Sequence, residues 1–382
     1  MIISRTPFRV SLFGGGTDYP GWFHEHGGAV LGTAIDKYCY ISCRYLPPFF
    51  SHRSRIVYAK VENVASNAEI EHPAVRGVLQ YLQMDDGLEI HHDGDLPARS
   101  GLGSSSSFTV GLLQTLHALK GMMPTKMQLA TSAIHVEQEI LKEHVGCQDQ
   151  IIAAFGGLLR IDFSAQAGNG TFHVTPVIMH RQRLQELQDH LLLYFTGFSR
   201  IASEIAKEQT ARTWENRQAL SVMQQMVDEA MTIVTGHGPL TALGELLHES
   251  WMLKRNLSAK VSSAAIDEIY EAARRAGAVG GKLLGAGGGG FMLLFAPPAA
   301  HPRVRERLKT LLHVPFRFES SGSQIIVYEP DTSGIMLGQR SAGHDTTALA
   351  SQVAYGAMPA GVSLARAGAE DIVAPQSSGG IS

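Results

Sequence analysis

The sequence predicts two domains that each combine α-helices with β-strands. The chain has 382 residues, of which 44% are hydrophobic and 18% are charged, and that length exceeds what one hydrophobic core usually organises. Strand-like segments are frequent in the first half, and longer helical patterns follow from about Ile201. We therefore expect domains over 1–195 and 196–330. The segment 331–382 is rich in Gly, Ala and Ser, so we interpret it as a weakly structured tail.

Charge and composition exclude several classes of function. The formal net charge of −3 provides no basic field for nucleic acid and no polybasic membrane anchor. The sequence has no apolar run long enough to span a bilayer and no signal-peptide pattern after Met1. Three cysteines without zinc spacing favour reduced thiols. We expect a cytoplasmic protein that binds small molecules, and the sequence leaves a homodimer open.

Strand patterns come first along the chain. "IISRTPFRVSLF" alternates as a strand does, and "GGGTDYPGWF" interrupts it with glycines and a proline. The next segments are rich in β-branched and aromatic residues, which favours strands over "AVLGTAIDKYCYISCRYL" and "RIVYAKV". Pro73 is suited to the first position of a short helix. "GLEIHHDGDL" is then a strand that leads into a loop of glycines and serines.

Helical patterns follow that loop. "SSFTVGLLQTLHALKG" is apolar nearly all round and predicts a buried helix. Thr125 and Gln128 form a capping box that starts the next helix, which we expect to end at Gly146. Later helices are expected around "LTALGELLHESWMLKRNL", "AAIDEIYEAARRAG" and "RVRERLKTLL", and later strands over "LLRIDF", "LLLYFTGF", "FMLLF", "VPFRFES" and "SQIIVYEP".

The loop "GLGSSSS", Gly101 to Ser107, has the context of a phosphate site because it follows a strand and opens a helix. Backbone N–H groups at a helix start bind anions, and glycines let the backbone approach phosphate oxygens closely. A serine hydroxyl there can ligate Mg²⁺. The alternative is that Ser104 or Ser105 simply caps the helix. The loop lacks the lysine of a Walker motif, so a phosphate bound there needs positive charge from elsewhere.

Two acids and one arginine are candidates for the remaining chemistry. Glu137 lies beside an apolar helical stripe and Asp149 lies beyond Gly146, so a chain reversal would bring their carboxylates together. One could ligate Mg²⁺ and the other act as a base. The alternatives are a solvated helix face for Glu137 and a helix N-cap for Asp149. Arg9 precedes the "GGGTD" turn and could supply the cation.

Two other glycine-containing turns have candidate roles. Thr17 and Asp18 follow glycines on a turn where they could hold sugar hydroxyls, or the aspartate could satisfy its own backbone. Gly285, Gly287 and Gly290 match G-x-G-x-x-G, yet the strand-like "FMLLF" follows at once. A dinucleotide fingerprint must open a helix, so the Rossmann interpretation is excluded, and either a tight turn or a site role remains.

Three segments together resemble a known family. "RTPFRVSLFGGGTDYP", "PARSGLGSSSSF" and "KLLGAGGGGFMLLF", in this order, resemble the three motifs of the GHMP small-molecule kinases, named after galactokinase, homoserine kinase, mevalonate kinase and phosphomevalonate kinase. Within that family, "GGGTDYPGWFHEHGGAVLGTAIDKY", "EIEHPAVR" and "VGCQDQIIAAFGG" resemble the branch that acts on D-glycero-D-manno-heptose 7-phosphate. The resemblance covers about 1–330 and leaves the tail unmatched.

The resemblance implies a fold and a site. The fold would be α+β, with a left-handed βαβ crossover in the N-terminal domain, an exception to the usual handedness, and a ferredoxin-like C-terminal domain. Asp149 would be the base and Arg9 the cation beside it, while Ser105 and Glu137 would ligate Mg²⁺. The other implied contacts are Gly101, Leu102, Gly103, Ser104, Ser105 and Ser106 for the ATP phosphates, and Thr17, Asp18, Gly287 and Gly288 for the substrate.

The activity that the resemblance implies is ATP- and Mg²⁺-dependent phosphorylation of the anomeric hydroxyl of heptose 7-phosphate, on the route to nucleotide-activated heptose for surface polysaccharides. Two alternatives stay open: a fucose- or galactose-type kinase of the same family, and a catalytically silent protein that senses sugar and ATP. Arg200 and Lys207 are candidates for binding the substrate's own phosphate, with solvated surface charges as the alternative.

Overall fold

The computed structural model describes residues 1–47, 49–98, 100–164, 172–197 and 214–330. Arg200, Lys207 and the tail after Pro330 lie outside these ranges, so the predictions made for them stay predictions. The strands are β1 (Ile2–Phe13), β2 (Gly28–Tyr45), β3 (Ser54–Val57), β4 (Val61–Val64), β5 (Leu88–Gly94), β6 (Leu158–Phe163), β7 (Phe172–Pro176), β8 (Leu191–Phe195), β9 (Gly280–Leu283), β10 (Phe291–Phe295), β11 (Leu312–His313) and β12 (Gln324–Tyr328).

Helices alternate with these strands in the same ranges. They are α1 (Pro20–His26), α2 (Pro73–Tyr81), α3 (Ser104–Leu119), α4 (Lys126–His135), α5 (Gln148–Phe155), α6 (Arg181–Asp189), α7 (Arg217–Thr235), α8 (Thr241–Arg255), α9 (Ala264–Arg275) and α10 (His301–Arg307). A π-helical turn over Val136–Ile140 continues α4, and short 3₁₀ turns cover Asn67–Glu69 and Pro298–Ala300.

The larger sheet has the strand order β12-β1-β2-β5-β3-β4, and β6 and β7 extend it from β2. β2 is long enough to pair with β6 through Gly28–Thr33 and with β5 through Cys39–Tyr45. The buried helix α3 packs on β1, and Ser4 Oγ donates to the Gly111 carbonyl oxygen at 3.0 Å. A Cβ at Gly111 would lie 2.8 Å from Thr6 Oγ1, so this glycine lets helix and strand approach closely. The start of α3 is thereby held beside Arg9 on β1.

The smaller sheet has the order β11-β8-β10-β9, and its neighbours are antiparallel. Numbered along the chain, that order is fourth, first, third, second, which is the ferredoxin-like arrangement that we expected. β8 belongs to this sheet although it lies before residue 196, while β12 returns to pair with β1 in the larger sheet. The chain therefore crosses between the two sheets twice, and the domain limits remain a prediction.

The structure tests three of the local predictions. The capping box of Thr125 and Gln128 is confirmed. The prediction that this helix ends at Gly146 is wrong, because α4 ends at His135 and the π-helical turn follows. The predicted strand "VPFRFES" is present only as an isolated bridge between Phe318 and Ile35, with backbone hydrogen bonds to β2 on either side of it.

Candidate active site

Arg9 and Asp149 meet although they are far apart in sequence. β1 carries Arg9 and the first turn of α5 carries Asp149. Arg9 Nε donates to Asp149 Oδ1 and Arg9 Nη2 donates to Asp149 Oδ2, each at 2.6 Å. The arginine side chain is 5% exposed and the aspartate side chain 22% exposed. A guanidinium that grips both oxygens fixes the plane of the carboxylate, so Asp149 presents its remaining lone pairs in one direction.

The glycine-serine loop is packed against this pair. Arg9 Nη1 donates to the Gly101 carbonyl oxygen at 2.7 Å, and the Arg9 backbone N–H donates to the Leu102 carbonyl oxygen at 3.0 Å. Gly103 has φ +74°, and a Cβ there would lie 3.3 Å from Asp149 Oδ2. A side chain at that position would be strained and would crowd the carboxylate. The loop therefore requires glycine where it passes the arginine–aspartate pair.

Gly103, rather than a serine, is the N-cap of α3. The helix begins at Ser104, no side chain caps it, and Ser107 N–H donates to the Gly103 carbonyl oxygen at 2.9 Å. The alternative that Ser104 or Ser105 caps the helix is therefore wrong, because a left-handed glycine occupies the N-cap position. The backbone N–H groups of Ser104, Ser105 and Ser106 precede the first helical hydrogen bond, as an anion site at a helix start requires.

Glu137 lies fully buried on the π-helical turn after α4. Its Oε2 accepts hydrogen bonds from Ser106 Oγ at 2.8 Å and from Gln150 Nε2. Its Oε1 is buried and accepts no hydrogen bond among the described residues. The Thr109 hydroxyl, which donates to the Ser105 carbonyl oxygen at 3.2 Å, is also near the carboxylate and lowers its pKa. Burial raises the pKa of Glu137 to about 7, although hydrogen bonds to the carboxylate act in the opposite direction. An unpartnered carboxylate oxygen beside a hydroxyl is a fitting start for a Mg²⁺ site.

The serine that contacts Glu137 is not the one predicted as a ligand of Mg²⁺. Ser106 is buried and donates to the carboxylate, whereas Ser105 is exposed at the helix start. Successive helix residues point about 100° apart, so a shift of one position turns the hydroxyl to another side of α3. The structure therefore places Ser106 beside the glutamate, and the metal-ligand role of Ser105 stays a prediction.

Asp18 lies in the same region and is buried. Its Oδ1 accepts from the Gly16 N–H at 3.0 Å, and its Oδ2 accepts from Gln148 Nε2 at 3.0 Å and from the Gln148 N–H at 3.2 Å. Burial raises the pKa of Asp18, and the nearby Asp149 charge acts in the same direction. Asp18 is thus tied to the start of α5, next to Asp149, and its contact with the substrate stays a prediction.

Thr17 is placed differently from Asp18. Its hydroxyl oxygen lies 2.8 Å from the Gly14 carbonyl oxygen and 2.9 Å from the Ala29 carbonyl oxygen, which share its single proton, and it accepts from the Ala29 N–H at 3.2 Å. Because its hydroxyl is committed to the backbone, this geometry favours a structural role for Thr17 in the turn.

The third glycine segment packs against the phosphate loop. A Cβ at Gly285 would lie 2.5 Å from Gly101 Cα, and a Cβ at Gly290 would lie 2.1 Å from the Ser100 carbonyl oxygen. Gly288 N–H donates to the Val261 carbonyl oxygen at 2.9 Å. The tight turn thus packs directly against this loop, and its role at the site stays a prediction. Contacts of Gly287 and Gly288 with substrate remain predicted.

Two buried lysines near the site were missed by the sequence analysis. Lys254 on α8 donates to the carbonyl oxygens of Leu283, at 2.9 Å, and Gly285, at 2.5 Å. Lys282 on β9 donates to the Leu12 carbonyl oxygen at 2.8 Å. Burial lowers the pKa of both, to about 7 for Lys254 and well below the usual range for Lys282. The available signal was the position of Lys254, three residues after Trp251 on an apolar helix face.

The described part of the chain contains no group of three or more His, Cys, Asp or Glu side chains that could hold a metal ion. A Mg²⁺ ion that binds with nucleotide does not need such a group, because phosphates and waters complete its coordination. No helix within the described ranges has the length and apolar character to cross a membrane.

Comparisons with known proteins agree with the architecture. The family model for the GHMP kinases N-terminal domain matches residues 70–157, and that for the C-terminal domain matches 233–313. A D-glycero-alpha-D-manno-heptose 7-phosphate kinase of Campylobacter jejuni is 27% identical over 308 residues, 78% of this chain and 90% of that protein. The bifunctional fucokinase/GDP-fucose pyrophosphorylase of Arabidopsis thaliana is 25% identical over 328 residues, 79% of this chain and 30% of that protein.

Solved structures give the same result for the fold. A crystal structure of a D-glycero-D-manno-heptose 1-phosphate kinase from Bacteroides thetaiotaomicron has a TM-score of 0.70 at 25% identity, and covers 86% of this chain and 100% of that chain. The Lactococcus lactis galactokinase in complex with galactose has a TM-score of 0.67 at 18% identity, and covers 85% and 94%.

The class of protein that this fold and site define is a small-molecule phosphotransferase: both kinase domain models match the chain, and a glycine-rich helix start lies beside an oriented carboxylate. The chain belongs to the GHMP kinase family, whose N- and C-terminal domain models both match it. The predicted membership of this family is thereby confirmed, as is the α+β two-domain fold. The second and third glycine motifs lie within the matched ranges.

Proposed function

We propose that the protein transfers the γ-phosphoryl group of ATP to the anomeric hydroxyl of D-glycero-D-manno-heptose 7-phosphate and so forms the 1,7-bisphosphate. The proposal includes a cytoplasmic location and a place on the route to nucleotide-activated heptose for surface polysaccharides. It leaves the oligomeric state open.

One observation carries the proposal: Asp149, oriented by Arg9, lies against the loop that opens α3. A base for the acceptor hydroxyl and a site for the donor phosphates are thus adjacent. The similarity to a heptose 7-phosphate kinase along 78% of the chain supports the choice of substrate.

The chain's own residues have separable tasks in this mechanism. The N–H groups at the start of α3 hold the phosphate chain of ATP. Arg9 occupies one lone-pair direction on each Asp149 oxygen, so Asp149 keeps others for the acceptor hydroxyl and takes its proton during transfer. Arg9 also places positive charge near the transferring group. Asp18 accepts a hydrogen bond from Gln148, the residue before Asp149, and is our candidate for holding sugar hydroxyls.

Glu137 and a serine of the loop would hold Mg²⁺, since Glu137 Oε1 lacks a partner among the described residues and hydroxyl and carboxylate oxygens suit that ion. When bound, the ion supplies charge that neutralises the phosphate oxygens.

The second candidate is a kinase for an unphosphorylated sugar. The similarity to a fucokinase over 79% of this chain favours it. The two candidates differ in one chemical respect, because heptose 7-phosphate brings its own dianion and a free hexose does not. The identity of the acceptor therefore requires a direct assay.

The test is a phosphoryl-transfer assay with purified protein, ATP and Mg²⁺ against heptose 7-phosphate, other sugar phosphates, fucose and galactose. We expect transfer to heptose 7-phosphate with kcat/KM at least ~100-fold above that for the free sugars, in line with the cost of leaving a built polar site unpaired. Asp149→Asn is the inactive control. Preference for fucose or galactose would establish the second candidate. Binding of sugar and ATP without transfer would establish the silent sensor.

A further inference from the structure

The geometry points to Lys254 as a positioning residue for the phosphate loop, acting through the Gly285 turn on the backbone that holds Arg9. This inference rests on the proposed function, since it concerns the nucleotide side of that same site. Lys254 is a charged side chain at a position where packing alone favours an apolar one. Lys254 follows the buried Trp251 on the inner face of α8 and is itself only 8% exposed.

The first step is the contact between Lys254 and the third glycine segment. Its Nζ donates to the carbonyl oxygens of Leu283 and Gly285, at 2.9 and 2.5 Å. Both carbonyls belong to the point where β9 ends and the glycine turn begins. Lys254 therefore holds the turn at its first residue, and the two acceptors orient the end of the lysine side chain.

The second step connects the turn to the phosphate loop. A Cβ at Gly285 would lie 2.5 Å from Gly101 Cα, and a Cβ at Gly101 would lie 2.6 Å from the Leu284 carbonyl oxygen. The two backbones are therefore in direct contact with no side chain between them. A shift of Gly285 must move Gly101, because packing this close leaves no space to absorb the displacement.

The phosphate loop in turn contacts Arg9 and, through it, Asp149. The Gly101 carbonyl oxygen accepts from Arg9 Nη1 at 2.7 Å, and Arg9 grips Asp149 at two points of 2.6 Å. A second lysine connects the strand before the glycine turn to β1. Lys282 lies on β9, and its Nζ donates to the Leu12 carbonyl oxygen on β1 at 2.8 Å. α8, β9 and β1 are thus connected by lysine–carbonyl contacts.

A buried amine is costly to retain unless it is fully hydrogen-bonded. Methionine would fill the volume of Lys254 without that cost, which indicates that the hydrogen bonds themselves are needed. The consequence is a specific kinetic expectation. Displacing the loop by a fraction of an ångström disturbs binding of the donor nucleotide and alignment for transfer. Of the candidate sugar contacts, Asp18 is held by Gln148 and Gly288 by the Val261 carbonyl oxygen, so we expect recognition of the acceptor to change less.

The experiment compares Lys254→Met with wild type and with Lys120→Met. Lys120 is the comparison, because its Nζ also donates to a backbone carbonyl oxygen, that of Leu82 at 3.1 Å, from an exposed position at the opposite end of α3. Steady-state kinetics give kcat and both KM values, and calorimetry with a non-hydrolysable ATP analogue gives nucleotide binding without turnover. Thermal melting shows whether each variant is folded.

For Lys254→Met we expect kcat to fall ~10- to 100-fold, the KM for ATP and the dissociation constant of the analogue to rise ~10-fold, and the KM for the sugar to change less than ~3-fold. Lys120→Met should keep all of these constants. Lys254→Arg retains N–H donors and should recover part of the loss. A role confined to folding would lower the melting temperature without this division between the two substrates.

Wild-type kcat and ATP KM in a folded Lys254→Met variant would overturn the inference. If that variant does not fold, Lys254→Gln is measured in its place, because it is uncharged and too short to make both contacts, and wild-type constants there would have the same meaning. Absence of transfer by wild type to any sugar phosphate would instead overturn the proposed substrate. The analogue-binding comparison then still decides the role of Lys254.

Discussion

Arg9 holds both carboxylate oxygens of Asp149 at 2.6 Å while its third nitrogen donates to the Gly101 carbonyl oxygen. One guanidinium thus connects the residue that we propose as base with the loop that we propose for the phosphates. Since a guanidinium has a fixed fork of donors, the spacing between base and loop is set by one rigid group. This relationship makes Asp149 the first residue to test.

We expect Asp149→Asn to lower kcat by at least ~1,000-fold, because asparagine cannot accept the hydroxyl proton, an effect of the size general-base catalysis usually contributes. The dissociation constant of a non-hydrolysable ATP analogue should change little. Asp162→Asn is the control, since Arg160 Nε contacts both of its oxygens at 2.9 Å elsewhere in the larger sheet. Normal turnover by Asp149→Asn would refute its assignment as the base.

Part of this site could be predicted from residue types and motif order. Arg9, Asp149, Glu137 and Asp18 were all chosen from the sequence, and the structure brings them to one region. The glycine motifs could be found because close backbone approach leaves a clear compositional signal. The ferredoxin-like second sheet, in contrast, came from the family resemblance, because strand order depends on pairings between distant segments that local patterns do not contain.

Other features could not be predicted, for identifiable physical reasons. Which serine meets Glu137 depends on where α3 begins, and helix starts are uncertain by one or two residues from sequence. Lys254 was missed because a lysine on a helix is ordinarily solvated. The sequence pattern indicates a helix end at Gly146. In the structure, a Cβ at this position would lie 2.0 Å from Asp18 Oδ2. Its requirement for glycine comes from a tertiary contact.

The raised pKa of Glu137 predicts a pH dependence of stability. Its folded pKa is about 7 against an ordinary value of 4.5. Between those values the folded protein binds a proton that the unfolded chain has lost, so this group's contribution to the free energy of unfolding declines as pH rises from 4.5 to 7. Without Mg²⁺, Glu137→Gln, which mimics the neutral form, should be more stable than wild type at pH 7.5 and about equal at pH 4.5.

Urea denaturation at the two pH values measures this difference. Glu139→Gln is the matched control, because Glu139 lies on the same π-helical turn with its side chain 62% exposed. Glu137→Gln should also raise the Mg²⁺ concentration needed for half-maximal activity, since the amide is a weaker ligand than a carboxylate. An unchanged Mg²⁺ requirement in Glu137→Gln would contradict its role as a ligand.

The two neighbouring serines can be separated by the pH dependence of their variants. Ser106 donates a hydrogen bond that favours the charged form of Glu137 and lowers its pKa. Ser106→Ala should therefore raise that pKa further, so its Mg²⁺ requirement should exceed that of wild type more at pH 6.5 than at pH 8.5. If exposed Ser105 is a ligand, as the family resemblance implies, Ser105→Ala should raise the requirement equally at both pH values.

Titrating activity with Mg²⁺ at pH 6.5 and 8.5 measures both variants. Ser104→Ala, at the first residue of α3, provides a comparison for general disturbance of the helix start. A pH-dependent requirement for Ser105→Ala and a pH-independent one for Ser106→Ala would reverse the two assignments.

Gly146→Ala should act on Asp18 alone among the proposed site residues. The new Cβ would lie 2.0 Å from Asp18 Oδ2, the oxygen that also accepts from Gln148 Nε2 and from the Gln148 N–H. The carboxylate must move, and we expect the KM for the sugar to rise ~10-fold, which corresponds to one disturbed hydrogen-bonding group, while the KM for ATP stays within ~3-fold. Overpacking of this kind should also lower the free energy of unfolding by ~1–3 kcal/mol.

Gly238→Ala is the control, because a Cβ there would have nothing within 4 Å and alanine slightly restricts the unfolded chain. It should leave both KM values unchanged. Steady-state kinetics with each substrate varied in turn measure the difference. If Gly146→Ala raised the KM for ATP as much as that for the sugar, the clash would extend beyond Asp18 to the nucleotide side. An unchanged sugar KM in a folded Gly146→Ala protein would instead remove Asp18 from the acceptor site, and sugar recognition would then have to come from other residues near Asp149.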